Sequence, residues 1–263
     1  MRRATLFWGF ILILLGAILL LQNLGIITVN LWSIFIPVLI IAFGVWILWG
    51  SLSRKSLRTE HFEIPIENIK QANLRIQHGA GRLTVKEGVG EGLLVAGDCI
   101  GGVSTTTSSS GDRIDIKLSV PDYGFSWLGW TPSNRLDWDL KLTQNLPLSL
   151  VFETGAAETQ IDLRHLIVRE LRLSSGASST RIDMPANARN TTATIKTGAA
   201  SVDIRIPEGV SARIRATGGL SSITVDRHRF PASDGKYQST DYDSATNKVD
   251  IEIAVGVGSV DIR

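Results

Sequence analysis

A glycine phrase that returns at a nearly fixed interval limits this chain more than anything else in its sequence. Gly155-Ala156-Ala157, Gly176-Ala177-Ser178, Gly198-Ala199-Ala200 and Gly219-Leu220-Ser221 are spaced by 21, 22 and 21 residues. Strand-type residues fall four, six and often eight positions after each glycine. Thr159, Ile161 and Leu163 follow the first, and Thr180, Ile182 and Met184 the second. Val202, Ile204 and Ile206 follow the third, and Ile223 and Val225 the fourth. The phrase also occurs early, as Gly79-Ala80-Gly81-Arg82-Leu83-Thr84-Val85, and late, as Gly256-Val257-Gly258-Ser259-Val260-Asp261-Ile262.

Alternation with a period of two is the signature of a half-buried strand. Each strand opens at a glycine, where either a positive φ or a close approach of backbones favours a residue without Cβ. A second, shorter strand is expected in each interval, over Leu166–Leu173, Ala193–Ile195 and Val210–Ala216. One repeat then holds two strands and two turns, and it cannot shelter its apolar face alone. Stacked copies can. The pattern predicts an all-β repeat domain of β-solenoid type, with a β-sandwich as the alternative, because sandwiches also space short strands regularly.

Ahead of the repeats the chain has a different character. No charged residue occurs between Arg3 and Arg54. Ala4–Leu21 and Leu31–Leu52 are apolar runs long enough to cross a bilayer as helices, joined by a turn from Gln22 to Asn30. The domain reading is therefore 1–52 as a transmembrane hairpin, 53–60 as a basic linker and 61–263 as the β-repeat domain. Trp8, Trp32, Trp46 and Trp49 lie near the ends of the two spans, as interfacial anchors do. Arg2 and Arg3 precede the first span, Arg54, Lys55 and Arg58 follow the second, and the turn has neither Lys nor Arg. The positive-inside bias predicts a two-pass protein of the cytoplasmic membrane with both termini in the cytoplasm. Arg54, Lys55 and Arg58 would lie against anionic headgroups.

Within the domain, Phe62–Ile66, Ala72–Ile76, Leu93–Ala96, Arg113–Val120, Leu136–Leu142 and Leu148–Phe152 read as strands. The Ser/Thr/Gly-rich stretch from Gly101 to Gly111 reads as a loop, as does Phe230–Asn247. The segment 121–132 is a loop with an unusual aromatic content: Tyr123, Phe125, Trp127, Leu128 and Trp130. It reads either as a partner-binding or membrane-touching tip, or as a flap over an open end of the stack.

The chemistry-bearing residues form no catalytic pattern. His61, His78, His165 and His228 lack ligand spacing and read as surface residues. The single cysteine, Cys99, has no neighbour that would make it a nucleophile or a metal ligand. No phosphate-loop pattern occurs. A net charge of +2 gives no basic patch for nucleic acid. Asp162, Asp183, Asp203, Asp226 and Asp261 read as outward-facing residues that Arg164, Arg181, Arg205, Arg213 and Arg215 can pair with across rungs. The expectation is a non-enzyme without cofactor or metal, whose partners are the bilayer and other proteins. Self-association end to end, through the edge at Val260–Arg263, is a further expectation.

Both halves carry a resemblance. The run from Arg2 through Phe7-Trp8-Gly9 to Gly16, with Asn23-Leu24-Gly25, resembles the LiaI–LiaF-like transmembrane region. The Gly-Ala-Ala and Gly-Ala-Ser phrases, with Pro185 and Pro207 after the strands, resemble the toast-rack β-domain attached to such regions, and related adhesin-like repeats. The resemblance implies a bacterial membrane protein of the cell-envelope stress type. It implies envelope-stress proteins as partners, with a sensor kinase among them. Some relatives have four spans where this chain has two. The resemblance transfers no residue roles.

Overall fold

The computed structural model describes residues 36, 37, 40, 41 and 44, and then 59–66, 69–121, 136–187 and 189–263. The chain divides into two units, Met1–Lys55 and Ser56–Arg263. In the first, Ile36, Pro37, Ile40, Ile41 and Gly44 have helical backbone, and the three isoleucines are exposed. Among the described residues no helix is long and apolar enough to cross a membrane; the first expected span, and all of the second but Ile36, Pro37, Ile40, Ile41 and Gly44, lie outside those residues.

The second unit is all-β and solenoid-like. Its repeating element is one long strand, bent in the middle. In β7 (Leu148–Asp162) the side chains of Leu148, Leu150, Phe152 and Thr154 turn inward, then Gly155 and Ala156 are both exposed, and Ala157, Thr159 and Ile161 turn inward again. Two consecutive exposed residues shift the alternation by one. The second arm therefore keeps its apolar side on the core only because the backbone bends at the glycine. The same slip occurs in β2 (Gln71–Glu87), β9 (Asn190–Arg205) and β13 (Lys248–Ile262). The two short strands expected in each repeat are thus two arms of one strand. They have one turn per repeat, because the glycine is a corner within the ladder and the pairing runs on through it.

Between β7 and β8 (Val168–Asp183), five residues close the coil. Leu163 donates its N–H to the Asp183 carbonyl of the next rung at 2.9 Å, and Leu163 and Leu166 are buried. Met184 and Ile206 repeat that bond one and two rungs on, so the apolar residue eight places after each glycine fills the third side. Arg164 clamps this turn onto Asp162 through Nη2, at 2.6 Å from Oδ2. The guanidinium holds the Asp162 carboxyl below its usual range.

Rungs pair parallel and in register: β2 with β7, β7 with β8, and β8 with β9. A sandwich would pair its strands in antiparallel hairpins. The row Leu74, Leu150, Leu171, Ala193, Ile251 and Ile214 runs through the stack with every member fully buried. Each large member of such a row contributes about 1.5–3 kcal/mol.

The order of the last two rungs departs from the chain. β13 sits between β9 and β10 (Ser211–Val225), parallel to both. Val260–Arg263 is therefore interior, and the edge expected there belongs to β10. The C-terminal Arg263 Nη2 reaches Asp203 Oδ2 at 3.0 Å, and Arg181 Nε donates to the same carboxylate at 3.1 Å. One aspartate on β9 thus ties strands on both sides. Arg213 and Arg215 likewise converge on Asp250.

At the other end, β5 (Arg113–Ser119) continues the first arm of β2 and β6 (Leu136–Leu142) the second. Antiparallel strands then close both arms: β4 (Ser104–Ser110) on β5, and β3 (Leu93–Ile100) with β1 (Thr59–Pro65) on β6. β4 falls within the stretch read as a loop. Thr105, Thr106 and Thr107 have strand propensity, and here β5 supplies the ladder. Phe230–Asn247, also read as a loop, is a cap. Phe230 and Tyr242 are buried, and a small hairpin, β11 (Ala232–Ser233) with β12 (Lys236–Gln238), pairs with Arg213 and Ile214.

Candidate functional site

The ladder glycines stand where backbones meet. A Cβ on Gly155 would lie 2.7 Å from the Gly79 carbonyl oxygen, on Gly198 2.8 Å from that of Gly176, and on Gly256 2.7 Å from that of Gly198. None of the three has a positive φ, so close approach is the reason for glycine here. Stripped of side chains, the corner becomes a trough of about 1060 Å³ that runs across the rungs from β5 to β10.

Two rows of side chains line it. Two positions before each glycine stand Gln77, Glu153, Ser174 and Lys196, on successive rungs. Glu153 accepts from Arg75 Nη1 at 2.8 Å and from Gln77 Nε2 at 2.7 Å. Lys196 stands two rungs further along, about 10 Å away at the ordinary strand spacing. One position before each glycine stand His78, Thr154, Ser175 and Thr197. Each of these has a buried polar atom without a hydrogen-bond partner among the described residues: His78 Nδ1, Thr154 Oγ1, Ser175 Oγ and Thr197 Oγ1. A row of four such atoms in register is unusual in a folded interior, where buried polar groups are nearly always paired.

His78, read from sequence as a surface residue, is only 3% exposed. Its Nε2 donates to the Leu136 carbonyl at 2.9 Å, and its ring meets Trp138 edge-on at 5.2 Å. Burial pushes the imidazole below its ordinary range, against smaller opposing effects of the Leu136 carbonyl and the Asp137 charge. The period-two pattern of β2, on which His78 shares the face of Leu74 and Ile76, was the signal for this burial. The other three histidines, His61, His165 and His228, are exposed, as read from sequence. His61, held by Asp98 and Glu63, is raised. Cys99 is buried as expected, and burial pushes its thiol up to about 12. Among the described residues no group of three or more His, Cys, Asp or Glu is placed to hold a metal ion.

The residues that flank the aromatic segment meet this corner. Ser119 pairs with Gln77 and Leu136 with Gly81, so the described chain stops and resumes on either side of the corner where the other rungs hold glycine. Ser119 and Val120, just ahead of the aromatic segment, line the trough. Tyr123, Phe125, Trp127, Leu128 and Trp130 themselves lie outside the described residues. So do Trp8, Trp32, Trp46, Trp49, Arg54, Lys55 and Arg58.

Residues 53–205 match the family model for the N-terminal domain of toast_rack, DUF2154, which takes in more than half of the chain. The chain belongs to the toast-rack family. Ahead of the toast-rack domain, residues 6–48 match the LiaI-LiaF-like transmembrane region, so the β-domain is joined to a membrane anchor. Among solved structures, a candidate cell adhesion protein from Clostridium sporogenes ATCC 15579 is similar to the toast-rack chain. The TM-score is 0.69 at 18% identity, over 78% of this chain and 99% of that one. At that identity the likeness is one of fold. A candidate adhesin from Bacteroides fragilis NCTC 9343 aligns over 80% of this chain and 98% of its own, at 12% identity and a TM-score of 0.31. No curated protein matches the chain.

Proposed function

We propose that this toast-rack protein is a non-enzymatic, membrane-anchored regulatory scaffold of the cell-envelope stress response. Its β-domain holds a membrane-associated protein partner, a sensor kinase being the leading kind, in the corner trough. The observation that carries the reading is the trough itself. It runs across the stack from β5 to β10, it offers a carboxylate and an ammonium, and it belongs to a domain joined to a membrane anchor. Convergent polar groups on a rigid frame are what a specific protein contact needs. Arg2, Arg3, Arg54, Lys55 and Arg58 support a two-pass anchor with the trough on the cytoplasmic side.

Two measurements test this. In the first, Lys196→Glu and Ser174→Trp reverse the charge of the trough and fill it, and the full-length protein is captured from native membranes after crosslinking. The expected result is loss of a specific membrane protein from the capture and loss of control over an envelope-stress reporter, at unchanged protein level. Capture and reporter control that match wild type would remove the trough from the function. In the second, reporters fused after Arg263 read the side of the membrane. Cytoplasmic activity is expected, whereas an exported signal would move the reading to an adhesin-like domain outside the cell.

A further inference from the structure

Among the described residues, the second arm of β10, Thr217–Val225, is laddered on one side only. β13 covers one edge, and on the other edge β12 reaches only Arg213 and Ile214. Ser239 adds bonds to Ala212 and goes no further. A row of backbone donors and acceptors is thus left open over nine residues that contain no charge, no proline and no bulge. Proteins usually blunt such edges with lysine, proline or a cover. The remaining limits of the sheet are blunted in that way, are short, or carry no apolar side chain. β1 carries Glu60, Glu63 and Pro65; β11 has two residues; β4 is exposed throughout and holds only Ser and Thr.

Two apolar observations mark the same place. Leu220 is 82% exposed, and its register-mate Val257 is 53% exposed. They are the two exposed large hydrophobic side chains among the described residues of the β-domain. On the inner side, Val202 and Val260 are both 1% exposed, but Ile223, next in that row, is only partly buried. The core row therefore stops uncovered.

We infer that the second arm of β10 is a self-association edge, on which a second copy of this chain adds its own Thr217–Val225. The mate must bring a strand without charge, an apolar residue to lie beside Leu220, and another to cover Ile223. Thr217–Val225 itself meets all three needs. Stacking head to tail would instead set β10 against β1, whose glutamates and proline oppose it. The contact is then isologous, closed by a two-fold axis, with the two strands antiparallel.

The test uses the full-length protein in detergent and in native membranes. Single cysteines replace Ser222, on the open strand, and its register-mate Ser201, two rungs inside. Both positions are exposed, and buried Cys99 keeps the background low. A bis-maleimide joins thiols over a range of registers. Ser222→Cys is expected to give a covalent homodimer that Ser201→Cys and wild type do not give. Adding Leu220→Lys to Ser222→Cys sets like charges across the contact and lowers the yield roughly tenfold or more, with the unfolding transition close to that of wild type. Equal yields at the two positions, or no dimer at Ser222→Cys, would overturn the inference. A Ser222→Cys adduct with a different protein would overturn the second copy as the occupant.

Discussion

At one end of the stack the two arms of β2 part company. β5 extends one and β6 the other, and antiparallel strands then close both arms. At the opposite end β10 keeps both arms in a single strand, and the cap made by Phe230 and β12 reaches only the first. Reversing strand direction takes away the parallel rung as a template at the β2 end, where the outer strands are β4 and β1. The end built on β10 keeps that template along its second arm. A repeat stack has to stop somewhere, and the two ends show that stopping needs separate devices for each arm.

Trp138, on the buried face of β6, and Phe230, plugging the cap at β10, probe the ends most strongly. Trp138→Ala is expected to cost about 4 kcal/mol and Phe230→Ala about 3 kcal/mol, because the cap has room to settle into the void. Denaturant unfolding checks both, and a reversed order would mean that the end at β10 is the more tightly built. The glycine ladder gives the next contrast. Gly198→Ala, in the middle of the stack, is expected to cost about 3 kcal/mol, since its Cβ meets the Gly176 carbonyl and rungs on both sides prevent a shift. Gly219→Ala meets the Gly256 oxygen at the same 2.8 Å, but its strand has a neighbour on one side only, and about 1 kcal/mol is expected. Equal losses would show that the outer rung is held as firmly as the inner ones.

Hydroxyls divide in a similar way. Thr191, buried near the start of β9, donates to the Val168 carbonyl at 2.7 Å, so Thr191→Val should cost about 1.5 kcal/mol in a thermal melt. Thr197, whose Oγ1 has no partner, should tolerate Thr197→Val within about 0.5 kcal/mol. A large loss there would mean that the trough hydroxyl is engaged. The smallest effect concerns pH. Burial lowers the folded imidazole of His78, so the unfolded chain takes up a proton near its ordinary 6.5 while the folded chain does not. Stability is therefore complete above that pH and falls as pH drops through and below it. His78→Phe should flatten the fall between pH 7 and 5, read as the melting midpoint. Asp162, held below its usual 3.8 by Arg164, loses its contribution only under that value, outside the window.

Much of this architecture was readable from Gly155, Gly176 and Gly198 and the residues four, six and eight places beyond them, because register-matched rungs must repeat the same burial. The bend was not readable. Alternation on the two sides of Gly155 looks like two strands, and only the shift from Thr154 to Ala157 in the buried set shows that one strand turns a corner. The order of β13 and β10 was hidden for a related reason: any rung's pattern fits any neighbour. One cue did exist. Ser201-Val202-Asp203-Ile204-Arg205 and Ser259-Val260-Asp261-Ile262-Arg263 are identical, and those segments lie side by side. The trough left less trace, since it is made of absent side chains, and its polar rows mix Gln, Glu, Ser, Lys, His and Thr in no repeated motif. The cap at Phe230 was masked by the turn-forming residues around it.

The interleaving of β13 also sets a timetable. During synthesis, Ser211–Val225 leaves the ribosome before Lys248–Ile262 exists, and N-terminal segments generally fold first. Only β9 is then available as a platform for the newly made rung. The mature arrangement requires the later segment to occupy that platform and the earlier one to ride on top of it. A nascent chain halted near Asn247 would therefore be free to settle into sequential stacking, a competing shape that the finished protein has to avoid or undo.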